Sequence, residues 1–266
     1  MQESQALSVD QALSVAMRHH NAGNLSNAEA IYKQILSAKP KHGQALHLLG
    51  VIAHQSNQHE LALDLIQQSL SVLPAYAEAH NNCGNVLKQL GRLKEAQVAY
   101  QTALRHNPNI AQAYSNLGVI LQEEEEHEQA LDQYKCAIRL KPDYAEAYYG
   151  AGFSLQALDR FDEARKHYQQ ALTYKRNYPD IYNNLGLMAM SEGNTMQAIQ
   201  DIKQAIDLAP FFFQAHNNLG RVYLKDNQPD EALFCFRKAL EIRPDFADAT
   251  HNTGTALKII KERDFV

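Results

Sequence analysis

Three residue types recur in this chain with a common spacing of 34 residues. The glycines lie at Gly50, Gly84, Gly118, Gly152, Gly186, Gly220 and Gly254. The alanines lie at Ala28, Ala62, Ala96, Ala130, Ala164, Ala198 and Ala232. The prolines lie at Pro40, Pro74, Pro108, Pro142, Pro210 and Pro244, with Arg176 at the one place in the series that lacks a proline. Three independent series with one period indicate tandem repeats, each of which contacts its neighbours.

The proline series divides the chain into repeats that leave no room for a separate domain. With each proline at position 32 of its repeat, seven complete repeats cover residues 9–246. Residues 1–8 are then an N-terminal tail, and residues 247–266 are either a capping helix or a truncated eighth repeat. The seven repeats are 9–42, 43–76, 77–110, 111–144, 145–178, 179–212 and 213–246.

Each repeat is predicted to form two closely packed helices. In repeat 3 the apolar side chains recur with helical spacing before and after Gly91. Gly84 and Ala96 let the two helices approach, and Tyr100 fills the space beside them. A glycine inside a helix costs about 1 kcal/mol relative to alanine, so its recurrence indicates a repeated close contact. One helix pair cannot bury its apolar stripe alone, and neighbouring pairs must therefore stack.

Composition limits the classes of function. A hydrophobic content of 45% and a charged content of 21% are typical of a folded protein. The 25 Lys and Arg residues against 30 Asp and Glu give a net charge of −5, which argues against a nucleic-acid partner. Cys83, Cys136 and Cys235 lie far apart without a CxxC pair, as expected in a reducing compartment. Because Met1–His20 lacks a signal-peptide pattern and no stretch is long and apolar enough to span a bilayer, we expect a cytoplasmic protein.

No catalytic or cofactor-binding motif is present. The chain lacks a glycine-rich phosphate loop, an HExxH motif and a nucleophile elbow, so we predict no enzymatic activity, no cofactor and no metal. His20, His47 and His54 fall on neighbouring repeats, but without the carboxylate or cysteine that usually completes a metal site. The acidic run Glu123–Glu126 is interpreted as a solvated turn, with a docking patch for a basic partner as the alternative.

The glycine, alanine and proline series resemble the tetratricopeptide repeat family over nearly the whole chain. This resemblance implies an all-α, right-handed superhelical solenoid of antiparallel helix pairs, with a concave groove lined by the first helix of each pair. Arg176 departs from the pattern, so we expect an altered bend before Pro179, which suits a first helical position. We predict a protein–protein interaction scaffold that binds extended peptide segments of partner proteins in this groove.

A row of asparagines at repeat position 6 is the main candidate for binding. Each carboxamide offers two donors and an acceptor, so such a row can satisfy the backbone of an extended peptide whatever its sequence. The alternative is a generic repeat residue, because asparagine is common at this position in the family. The row consists of Asn82, Asn116, Asn184, Asn218 and Asn252, with Asn81, Asn183 and Asn217 preceding three of them.

Residues at position 9 add further groove candidates. Asn85 and Arg221 resemble parts of the set that some relatives use to hold acidic chaperone tails, but the rest of that set is missing, so we expect no strong recognition of such tails. Tyr149 and Phe153 lie where the asparagine row is interrupted, and Leu187 follows them. Exposed aromatic side chains often anchor partners, which makes this pair the expected central hot spot. The alternative is that they fill the superhelix locally.

A closer resemblance suggests a second function. The runs Asn116–Gly118, Asn183–Gly186 and Asn217–Gly220 resemble the repeats of O-linked N-acetylglucosamine transferases, and Ala45–Gln55 resembles bacterial proteins that join such repeats to glycosyl- or sulfotransferase domains. The resemblance implies a substrate-recruiting repeat region whose catalytic domain is absent from this chain. A reading frame that continues into a transferase after Val266 would favour it. The oligomeric state is not predicted.

Overall fold

The computed structural model describes residues 8–263, so residues 1–7 of the predicted tail and residues 264–266 lie outside the described range. The chain divides into two compact units, the N-terminal unit (Met1–Pro142) and the C-terminal unit (Asp143–Val266). Ser8 caps the first helix, because its hydroxyl accepts from the Gln11 amide while the Gln11 side chain accepts from the Ser8 amide.

Each repeat forms two helices, and every first helix begins at the residue predicted to open its repeat. The helices of the N-terminal unit are α1 (Val9–Asn21), α2 (Leu25–Ala38), α3 (Gly43–Gln55), α4 (His59–Val72), α5 (Ala77–Gln89), α6 (Leu93–His106), α7 (Ala111–Glu123) and α8 (His127–Leu140). Those of the C-terminal unit are α9 (Ala145–Ala157), α10 (Phe161–Tyr174), α11 (Pro179–Ser191), α12 (Thr195–Leu208), α13 (Phe213–Lys225), α14 (Pro229–Ile242) and α15 (Ala247–Arg263).

Within each unit the helix pairs stack in chain order. The second helix of one repeat packs against the first helix of the next, as in α4 with α5 and α12 with α13, and α15 packs on α14. Over residues 8–263 the predicted all-α solenoid fold of antiparallel helix pairs, with seven repeats and a final helix, is confirmed. None of the described helices combines the length and the apolarity needed to cross a membrane.

The close approach predicted at the glycines is confirmed. Tyr100 on α6 is fully buried against Gly84 on α5, where an added Cβ would lie 2.5 Å from Tyr100 Cε1. Gly220 has the same relation to Phe236, at 2.5 Å from Cε1. A Cβ on Gly254 would meet no atom within 4 Å, because no further helix of the described chain lies on that side of α15.

The altered bend expected at Arg176 is present in the linker between α10 and α11. Tyr178, which precedes Pro179, has φ −140°, whereas Tyr144 and Phe212 at the same repeat position have φ −83° and −78°. Pro179 is the first residue of α11, as predicted, where its missing N–H costs no helical hydrogen bond. The Tyr178 ring lies 4.8 Å, centre to centre, from the ring of Tyr149. Tyr178 thus covers one of the two aromatic side chains expected in the groove, as Tyr76 covers His47 at the same positions of repeat 2.

Candidate functional site

In the N-terminal unit the predicted groove asparagines bond to one another and to His47. Asn82 Nδ2 lies 2.8 Å from His47 Nε2, which is 35 residues earlier. Asn116 Nδ2 donates to Asn85 Oδ1 at 2.8 Å, and the Tyr100 hydroxyl donates to the same oxygen at 2.9 Å. Side chains thus connect repeats 2, 3 and 4 along the first helices.

His47 is part of the interior of this unit. It is 3% exposed, and its Nδ1 lies 3.2 Å from the Tyr76 hydroxyl. Burial lowers the pKa of the imidazole to about 4, with electrostatic repulsion from His20 as a smaller cause. Asn81, at the same position in the next repeat, is also buried, but its Oδ1 has no hydrogen-bond partner. Asn81 is therefore an internal polar residue rather than an exposed groove residue.

In the C-terminal unit the asparagines pair in a regular pattern. Asn218 Nδ2 donates to Asn183 Oδ1 at 2.9 Å, and Asn252 Nδ2 donates to Asn217 Oδ1 at 2.9 Å. Each bond joins position 6 of one repeat to position 5 of the repeat before it, as the Asn82–His47 contact does. Asn183, Asn217 and Asn218 are buried. The asparagine row thus links successive repeats, and part of its carboxamide donors and acceptors are already bonded within the protein.

Tyr149 and Phe153 have different environments. Tyr149 is only partly exposed, and its ring centre lies 6.1 Å from that of Tyr168, whose hydroxyl accepts from Asn184 Nδ2 at 3.2 Å. Desolvation, with repulsion from Asp180 as a smaller cause, raises the Tyr149 pKa to about 12. Phe153, one turn later, is 43% exposed. The alternative interpretation of this pair, that the rings fill space within the superhelix, therefore holds for Tyr149. Phe153 is the side chain that reaches the surface.

A cleft of about 470 Å³ lies between α13 and α15. Arg221 is exposed at its edge, and Arg221 Nη1 donates to Asn218 Oδ1 at 3.3 Å. Of the eight residues that line the cleft, four were predicted from the sequence as groove residues and four were not. The cleft is lined by Gln214, Asn217, Asn218, Arg221, Phe246, Asp248, His251 and Asn252.

Two of the cleft residues that were not predicted could have been found from the repeat register. Asp248 and His251 occupy positions 2 and 5 when the 34-residue register is continued past residue 246. Their positions on α15 match those of Gln214 and Asn217 on α13. Continuing the register into the final helix identifies them as groove residues.

The remaining candidates lie apart from this cleft. Within residues 8–263 no group of three His, Cys, Asp or Glu side chains is arranged to hold a metal ion. His54 Nδ1 lies 3.1 Å from His59 Nδ1, so its partner is in its own repeat. The acidic run Glu123–Glu126 is exposed where α7 meets α8.

Comparisons with known proteins agree with this architecture. Models described as tetratricopeptide repeat match residues 16–80, 179–212 and 213–246, and a model described as TPR repeat matches residues 84–124, 120–159 and 157–191. No curated protein matches the chain.

Solved structures share the fold. The APC/C hetero-tetramer Cut9–Hcn1 matches with a TM-score of 0.79 and 19% identity over 94% of this chain and 49% of the matched chain, so this chain spans about half of that one. YrrB, described as a TPR protein with an unusual peptide-binding site, matches with a TM-score of 0.55 and 24% identity over 70% of this chain and 96% of YrrB. MamA matches with a TM-score of 0.54 and 29% identity over 62% of this chain and 96% of MamA.

Proposed function

Because the chain belongs to the tetratricopeptide repeat family, we propose that it is an interaction scaffold whose C-terminal unit binds an extended segment of a partner protein. The segment lies across the first helices α9, α11, α13 and α15. The observation that carries this proposal is the exposure of Phe153, at position 9 of α9, on the same repeat face as the polar cleft between α13 and α15.

Phe153 and Leu187 supply the apolar part of this surface. They are 34 residues apart at position 9 of α9 and α11, and both retain solvent exposure. Large exposed apolar side chains beside a groove commonly contribute most of the binding energy in an interface. We therefore assign the hot spot to Phe153, with Leu187 at the same position of the next repeat, while Tyr149 packs against Tyr168 and Tyr178.

The polar cleft suits the backbone of a bound segment. Gln214 and Asn252 carry donors and acceptors at its wall, and Asn252 uses one of its N–H groups to reach Asn217. The hydrogen bond to Asn217 holds the Asn252 side chain in place before a partner arrives. Such preorganisation lowers the entropy lost on binding. YrrB, which has this fold and is described as having a peptide-binding site, is consistent with the proposal.

The test uses peptides selected on the full-length protein from a random library of twelve-residue segments, displayed by fusion at their C-termini. The tightest peptide is synthesised with an amidated C-terminus and titrated by calorimetry. We expect Phe153→Ser to weaken binding at least tenfold, because the anchor side chain is lost. Phe234→Ser is the matched control, since Phe234 is also exposed, at 62%, but lies on a second helix, α14.

Two results would overturn the proposal. One is that the library yields no peptide above background on the folded protein. The other is that Phe153→Ser and Phe234→Ser have equal effects, which would place binding elsewhere. Circular dichroism of both variants checks that helical content is unchanged.

A further inference from the structure

We infer that the C-terminal unit selects partner segments that carry a bulky apolar side chain and, about five or six residues away, an acidic side chain. This inference rests on the proposed function and adds the chemistry and the spacing of the segment. It comes from the way position 9 changes along three successive repeats, from Phe153 to Leu187 to Arg221.

Position 9 is aromatic, then aliphatic, then cationic. Phe153 on α9 and Leu187 on α11 are partly exposed, and Arg221 on α13 is exposed. Because the three residues share one register position, their side chains leave the first helices in the same direction. One end of the surface is thus apolar and the other is positively charged.

Arg221 is held in place but is not neutralised. Arg221 Nη1 donates to Asn218 Oδ1 at 3.3 Å, and no carboxylate of residues 8–263 forms an ion pair with it. A guanidinium has five N–H donors in a planar fork that matches a carboxylate, so most of its donors are available to a partner. Lys225, one turn later on α13, donates to the Met190 carbonyl and adds a second positive charge to this helix.

The other charged and titratable groups at the cleft are Asp248 and His251 on α15. Asp248 lies at position 2, whereas Arg221 lies at position 9 of the preceding repeat. A carboxylate at Asp248 accepts backbone N–H groups of a bound segment and disfavours a second acid at its own side of the cleft. The partner's acidic side chain is therefore assigned to Arg221, and its backbone lies towards α15.

Helix packing sets the spacing between the apolar and acidic side chains. Packed helices such as α11 and α13 are separated by about 8–10 Å, and if the same step is taken from α9 to α11, the distance from α9 to α13 is about 16–20 Å. Side-chain contacts bridge both steps: Asn184 on α11 donates to the hydroxyl of Tyr168, which lies beside Tyr149, and Asn218 on α13 donates to Asn183 on α11. An extended chain advances about 3.3 Å per residue, which gives a separation of about five or six residues.

This recognition differs from capture of an acidic chain terminus. The assigned acid is a side chain within the segment, in register with an apolar anchor. The C-terminal fusion of the displayed library removes any free terminal carboxylate from the selection. Enrichment of acidic residues at the expected spacing then reports side-chain recognition alone.

A charge-swap experiment tests the inference on the full-length protein. The selected amidated peptide is titrated against the wild type, Arg221→Glu and Arg237→Glu, together with a second peptide in which its acidic residue is replaced by lysine. We expect Arg221→Glu to weaken the acidic peptide at least tenfold and to bind the lysine peptide better than the wild type does. Arg237, exposed on α14, is the control for the same change in net charge and should leave both affinities within twofold.

The outcomes separate the inference from the proposed function. Selected peptides without an acid at the expected spacing, or equal effects of Arg221→Glu and Arg237→Glu, overturn the inference. In that case the scaffold proposal still stands if Phe153→Ser weakens binding. Failure to select any peptide overturns both.

Discussion

The carboxamide nitrogen of Asn218 donates a 2.9 Å hydrogen bond to the carboxamide oxygen of Asn183, and both side chains are buried. The two residues are 35 positions apart in the chain. The same relation joins Asn252 to Asn217. Asn218 and Asn252, at position 6, therefore have an internal role, because each fastens its repeat to the one before. The binding that we propose therefore rests on position 9 rather than on the asparagine row.

The Asn217–Asn252 pair should contribute measurable coupling energy. Asn252→Ala leaves the buried Asn217 Oδ1 without its donor, and such a loss costs about 1–3 kcal/mol. In a double-mutant cycle with Asn217→Ala, we expect a coupling of about 1 kcal/mol in the free energy of unfolding, measured in urea. Strict additivity of the two single variants would contradict the structural role.

Glycine-to-alanine substitutions at two equivalent positions should change the free energy of unfolding in opposite directions. Gly84→Ala places a methyl group within 2.5 Å of the Tyr100 ring, so it should lower the unfolding free energy by about 1–3 kcal/mol. Gly254→Ala meets no neighbour within 4 Å and should raise it by up to about 1 kcal/mol, because alanine is the better helix former. Thermal unfolding of both variants measures the difference. Stabilisation by both substitutions would show that helix propensity, rather than packing, governs these positions.

The turn between α7 and α8 should be stabilised by glycine. Glu125 has φ +61°, whereas Gly91 holds the same position of repeat 3 with φ +72°. A non-glycine residue in this left-handed region costs about 1–2 kcal/mol, so Glu125→Gly should raise the unfolding free energy by about 1 kcal/mol. The reverse change, Gly91→Glu, should lower it by a similar amount. Urea denaturation of this matched pair checks both signs.

The N-terminal unit should lose stability in acid through His47. The native pKa is about 4 against 6.5 for the free side chain, so the unfolded state binds the proton more readily. The stabilisation is fully present above pH 6.5, is lost as the pH falls towards 4, and amounts to about 3 kcal/mol. His47→Asn retains an acceptor for Asn82, as Asn183 does for Asn218, but cannot titrate in this range.

The measurement for this prediction is the urea midpoint of the wild type and of His47→Asn between pH 7 and about pH 4.5. We expect the midpoint of the wild type to fall more steeply. Burial also lowers the pKa values of His20 and His54, so both proteins should lose some stability in acid. Parallel profiles for the two proteins would show that His47 is not the group responsible.

The groove residues at position 9 could be predicted in part from the sequence. The register places Phe153, Leu187 and Arg221 on equivalent helical sites, and the structure shows that Phe153 and Arg221 are exposed. The register places Tyr149 at position 5, but the sequence does not show that this position, which His47 and Asn183 share, faces inward. The structure shows that it does, and the Tyr178 ring packs against Tyr149.

Periodicity in the sequence determined the repeat boundaries, the helix starts and the glycine contacts such as Gly84 with Tyr100, because these depend on spacing within one repeat. Tertiary structure alone decided which polar side chains face inward. A carboxamide on a helix can point to solvent or to a neighbour, and its partner, as for Asn252 and Asn217, lies 35 residues away on another helix. The geometry of stacking brings such a pair within hydrogen-bonding distance, and local sequence patterns do not record that geometry.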